Sequence, residues 1–68
     1  MIIEVNCNTD EVIINETIKY PCKNPTQIIK ILEEIFHIQY RNKAFEKGGL
    51  NISLIKIDED TRTTIGEW

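Results

Sequence analysis

The sequence predicts an α+β domain in the order ββαββ: one four-stranded, mainly antiparallel sheet with one helix packed across one face. Three observations lead there. Apolar and polar side chains alternate near both ends of the chain, which is the period of a half-buried strand. A capped segment of helical period fills the middle. The 68 residues suffice for one core, so 1–68 is expected as a single domain, and one sheet covered by one helix is the economical way to build it.

Ile3, Val5 and Cys7 alternate with Glu4, Asn6 and Asn8, giving a first strand with one face toward the core. Asn8-Thr9-Asp10-Glu11 is a turn cluster, since Asn and Asp bond their own backbone. Val12, Ile14, Ile18 and Tyr20 then share a face opposite Ile13, Asn15, Thr17 and Lys19. Residues 12–20 are therefore expected as one second strand, paired to the first as a hairpin. Glu16 falls on the apolar face, which marks a bulge or an edge position open to water, with a buried acid as the alternative. Pro21 ends that strand because it cannot donate to a ladder.

Asn24-Pro25-Thr26-Gln27 starts a helix: Asn24 caps, Pro25 suits the first helical position, and Gln27 can reach back to the cap. The helix is expected to reach about Glu46, with Gly48 as its left-handed C-cap. Residues 50–57 (LNISLIKI) form the most apolar strand. Their alternation slips between Leu54 and Ile55, so either both faces are covered or a bulge intervenes. Asp58-Glu59-Asp60 is a turn, and 61–68 is a threonine-rich last strand.

Two sheet orders satisfy this string. One places the last strand in the middle, parallel to the first, an order shared with small β-grasp domains. The other puts 50–57 beside the first strand and the last strand at the edge. The polar run Thr61-Arg62-Thr63-Thr64 speaks for the edge. The β-grasp likeness is one of architecture and carries no activity. Ubiquitin-like carriers in that group end in Gly-Gly, whereas Gly66 is followed here by Glu67 and Trp68, which removes the carrier chemistry.

Composition excludes several classes. Eight basic residues against eleven acidic, net −3, disfavour a phosphate-backbone binder. No apolar run approaches the ~20 residues that span a bilayer, and no leader pattern opens the chain, so a cytoplasmic protein is expected. Cys7 and Cys22 are expected about 30 Å apart along a straight second strand, too far for a disulfide. His37, the sole histidine, falls on the polar helix face beside Glu33, distant from both thiols. Two cysteines and one histidine are too few for a structural zinc site. Lys47-Gly48-Gly49 lacks a phosphate-loop pattern and follows a helix. No catalytic residue, metal or cofactor is therefore expected, and the chain is read as non-enzymatic.

The surplus is apolar. Ile28, Ile31, Leu32 and Ile35 make the expected core stripe, with Ile29, Phe36 and Tyr40 on one flank and Ile38 and Phe45 on the other. Together they span about 200° of the helix, where a one-sided helix needs little more than ~100°. Ile2, Ile13, Ile55 and Ile57 are expected on an uncovered far face of the sheet. The sequence thus favours a small protein-binding inhibitor or regulator that docks on a larger protein, such as a host enzyme. Ile29, Phe36, Tyr40 and Trp68 are its expected apolar contacts and Glu33 part of the charged rim. Composition rich in Ile, Asn and Lys points to AT-rich coding DNA, such as that of low-GC bacteria or their phages. Small acidic stand-alone domains are common among phage-encoded inhibitors, so an anti-CRISPR-like inhibitor of a host enzyme is one expected form. A homodimeric module and a single-stranded nucleic-acid binder are the alternatives. The acidic turns Asp10-Glu11 and Asp58-Glu59-Asp60, if neighbours, would suit a nucleic-acid mimic.

Overall fold

The computed structural model describes residues 1–43 and 49–68. It holds five strands and one helix: β1 (Ile2–Asn6), β2 (Glu11–Ile14), β3 (Ile18–Pro21), α1 (Pro25–Lys43), β4 (Ser53–Asp58) and β5 (Thr61–Glu67). The sheet order is β3-β2-β1-β4-β5. β1 and β4 are parallel and the other three pairings antiparallel. The fold is thus α+β with one helix, but the sheet is mixed and has five strands. β4 lies beside β1 and the threonine-rich β5 lies at the edge, which is the second of the two expected orders.

The extra strand arises because 12–20 is not continuous. Asn15 and Glu16 take φ of 50° and 64°, and Thr17 N–H donates to the Ile14 carbonyl at 3.2 Å. Two successive positive φ values make a mirror-image turn, whose twist matches that of the strands it joins. Asn15 is also tied to β1, its N–H donating to Ile2 O and its Oδ1 accepting from Ile2 N–H. A loop of three residues brings Ile14 opposite Ile18 and Val12 opposite Tyr20. Paired residues share a face, so the even-numbered apolar set survives the reversal unchanged. Alternation alone could not reveal the break; Glu16, exposed at the turn, was its one mark. Glycine is the residue such a turn prefers at this position. Glu16→Gly is expected to stabilise the fold by about 1 kcal/mol, read as a raised urea midpoint; a lowered midpoint would show that Glu16 holds the turn in another way.

At the helix start, the Asn24 carbonyl accepts the first helical bond, from Ile28 N–H at 3.1 Å, and Pro25 opens the helix as expected. The expected terminus at Glu46 and the Gly48 cap lie outside the described residues. α1 rests across β1 and β4. Its buried face is formed by Ile29, with Ile28, Leu32, Phe36 and Tyr40 packed around Ile3, Val5, Leu54 and Trp68. The expected stripe is half right: Ile28 and Leu32 pack on the core, whereas Ile31 and Ile35 keep 43% and 45% of their surface exposed. A 200° apolar arc has two halves, and a sheet can cover one. Trp68 selects between them, because its indole packs against Phe36 in a tilted contact, centroids 5.5 Å apart and planes inclined by 53°, and draws the aromatic half inward.

The phase slip in β4 reflects the first expected cause, burial on both faces; the bulge lies in the neighbouring strand β5. Leu54 and Ile55 are both buried, on opposite faces. The register steps from Leu54↔Gly66 to Ile55↔Thr64, leaving Ile65 as an extra residue in β5. The far face is less open than expected. Ile55 is buried, while Ile2, Ile13 and Ile57 are half-buried. Glu4 lies between Ile13 and Ile55 in register, buried, with Arg62 Nη2 at 3.4 Å from its Oε2. Because Arg62 is half exposed, water screens this pair and its contribution is modest.

Candidate functional site

The fold-back of β3 decides where exposed apolar surface collects. α1 rests mainly on β1 and β4, so the helix-side face of β2 is covered only at its edge, where Val12 packs against the core, and that of β3 lies beyond the helix. Val12 and Ile14 are half-buried there, and Ile18 and Tyr20 on β3 are 49% and 52% exposed. Beside this floor rises the flank of α1. Ile28, Ile31, Ile35 and Ile38 follow at spacings of three, four and three residues, one continuous stripe along a helix. Ile38 is 53% exposed. Among the described residues six large apolar side chains are exposed. Five of them, all but Met1, lie on this side of the molecule, Ile18 and Tyr20 on β3 and Ile31, Ile35 and Ile38 on α1, and Ile31 lines the cleft between the two elements.

The groove deepens at its start into a cleft of about 440 Å³, between Val12, Pro21 and Cys22 on the sheet side and Ile28 and Ile31 on the helix. Two strands span about 10 Å, which is the width of one helix. β3 is also an edge strand, so among the described residues no strand pairs with its outer backbone groups.

The expected contact residues come together elsewhere. Ile29 and Trp68 are buried, and Phe36 and Tyr40 are half-buried against them. These four form the joint between helix and sheet, not a free surface. Glu33 is exposed on the opposite helix flank, where with Glu34, His37 and Trp68 it lines a shallow depression. Charging Phe36 or Tyr40 would break the core and is no test of docking. The groove residues Ile18, Ile31, Ile35 and Ile38 went unrecognised as a set, although the 3-4-3 spacing of Ile28, Ile31, Ile35 and Ile38 is a seam pattern legible in the sequence.

The cysteines also move. Cys22 N–H donates to Asp10 O at 2.7 Å, so the returning β3 carries Cys22 back to the Cys7 end of the sheet. The 30 Å expectation fails with the straight strand. With β2 between them, two strand spacings separate their backbones by roughly 10 Å, still beyond disulfide reach, and both cysteines are free. Burial, and next the negative charge of Asp58, push the Cys7 thiol above its ordinary value, which makes it a poorer nucleophile at neutral pH. His37 is exposed on α1. Among the described residues no group of three His, Cys, Asp or Glu side chains could hold a metal ion.

The two acidic turns are neighbours. The Asn8 amide spans them, Nδ2 donating to Glu59 O at 2.9 Å and Oδ1 accepting from Glu59 N–H at 2.8 Å. Asp10, Glu11, Asp58, Glu59 and Asp60 thus share one end of the molecule, diluted by Lys56, which lies 3.9 Å from Asp58. Among the described residues no helix is long and apolar enough to cross a membrane. Comparison of the chain with models of protein families, with curated proteins and with solved structures found no match in any of the three.

Proposed function

We propose that this chain is a non-enzymatic protein-binding domain that acts by docking through the groove between α1 and β3. A small inhibitor or regulator of a larger protein is one form of that role, and a homodimeric module is the other. One observation carries the proposal: five of the six exposed large apolar side chains among the described residues belong to two elements, β3 and α1, that flank one apolar cleft. Apolar surface concentrated in this way marks interaction sites, whereas scattered exposed residues do not.

The test is capture by the tagged chain at low and at high salt, beside the double variant Ile31→Asp/Ile35→Asp. Both isoleucines are already well exposed, so the variant is expected to melt with the wild type at low concentration. A partner held by wild type at about 1 M salt, where charge contacts are screened, and lost by the variant is the expected result. Retention by the variant would remove the groove from the binding surface. Loss of the partner at high salt in both proteins would point to the acidic end formed by the two turns.

A further inference from the structure

We propose that the occupant of the groove is a second copy of this chain, an inference that rests on the groove being the binding surface proposed above. Each copy carries both halves of the contact side by side. One half is the apolar floor on β2 and β3, with Ile18 and Tyr20 exposed. The other is an unburied helix stripe, Ile31, Ile35 and Ile38, turned away from its own core. Self-complementarity of this kind is what a two-fold, isologous interface requires. A rotation about an axis perpendicular to the groove sets each helix stripe into the other copy's slot. The two helices then lie antiparallel between two sheets, and the floor that extends beyond each copy's own helix gains a helix layer.

Charge agrees with the antiparallel arrangement. None of the five side chains is charged, so identical copies meet without repulsion at the contact. The acidic turns mark one end of the molecule through the Asn8–Glu59 bonds, and α1 starts at that same end, just after Cys22. Arg41, sixteen residues into the helix, therefore lies about 24 Å away along its axis. Antiparallel copies bring the Arg41 end of one toward the acidic end of the other and keep the two acidic ends apart. The area is adequate too. The five side chains expose on the order of 500 Å² per copy, so with Val12, Ile14 and Ile28 a symmetric contact approaches the ~1,200 Å² at which stable interfaces begin.

The experiment is sedimentation equilibrium of the full chain from micromolar to near-millimolar concentration, beside Ile35→Asp on the helix and Tyr20→Asp on the floor. Circular dichroism verifies that each variant is folded. Wild type is expected to reach twice the chain mass, and each variant to raise the dissociation constant roughly tenfold or more. A wild type that stays at the chain mass throughout overturns the inference. If groove-dependent capture at high salt persists in that case, the binding-domain proposal survives with a different partner; without it, both fall. A dimer indifferent to both substitutions places the self-contact elsewhere and overturns the inference, and the capture experiment then decides the binding-domain proposal in the same way.

Discussion

Gly66→Ala is expected to cost about 2–4 kcal/mol and to expose the indole of Trp68. Gly66 faces the helix side of β5, opposite Leu54, and Trp68 folds back over it. A Cβ at position 66 would stand 2.7 Å from Cζ2 of Trp68 and 3.0 Å from Cζ3, with Cη2 closer still. The ring has no room to retreat. It is buried, packed against Phe36 in a tilted contact, and its backbone is held by reciprocal bonds with Ile52, Trp68 N–H to Ile52 O at 2.8 Å and Ile52 N–H to Trp68 O at 3.1 Å. The added methyl must therefore displace the indole or push β5 from α1. A domain of this size holds only about 3–10 kcal/mol in total, so the loss is a large share of it. Trp68 is the sole tryptophan, and its emission reports directly: a red shift together with a lowered urea midpoint is expected. Unchanged emission and midpoint would mean that Trp68 does not lie over Gly66.

Leu54→Ala is expected to cost about 3–4 kcal/mol. Leu54 is fully buried in β4, flanked in register by Ile3 of β1 and Gly66 of β5, within the cluster that holds Ile29 and Trp68. Neighbours pinned by two ladders cannot close over the cavity, so the transfer and cavity costs both apply in full. Ile31→Ala is the internal control. The sequence places Ile31 in the same core, whereas the structure leaves it 43% exposed. Its expected cost, measured at low concentration, is below about 1 kcal/mol. Equal losses for the two substitutions would show that the helix sits in the phase the sequence suggests.

That contrast marks what was legible in the sequence. Elements with local signals were read correctly: the alternation of β1, the Asn24-Pro25 start of α1, the acidic turn before β5 and the irregularity at Leu54 and Ile55. Features that depend on which of two faces wins were not. The turn at Asn15 and Glu16 hid because a three-residue loop preserves the parity of Ile14 and Ile18, and its left-handed residues are Asn and Glu with no glycine. The surplus of apolar helix surface was visible in composition. Which half of it stays outside was decided by a long-range partner, Trp68, 32 residues beyond Phe36. As a result the expected contacts Ile29, Phe36, Tyr40 and Trp68 became the core joint, and of the stripe assigned to the core Leu32 and Ile28 stayed on it while Ile31 and Ile35 turned outward. Cys22 followed the same logic, its position set by a strand reversal that no periodicity records.

The most direct test of the groove is a methyl NMR dilution series on isoleucine-labelled protein, because the 14 isoleucines sample every face of the molecule. The methyl signals of Ile18, Ile31, Ile35 and Ile38 are expected to shift with concentration, while those of Ile3, Ile29 and Ile55 stay fixed. Shifts confined to Ile2, Ile13 and Ile57 on the far face, or none at any concentration, would contradict a self-complementary groove between α1 and β3.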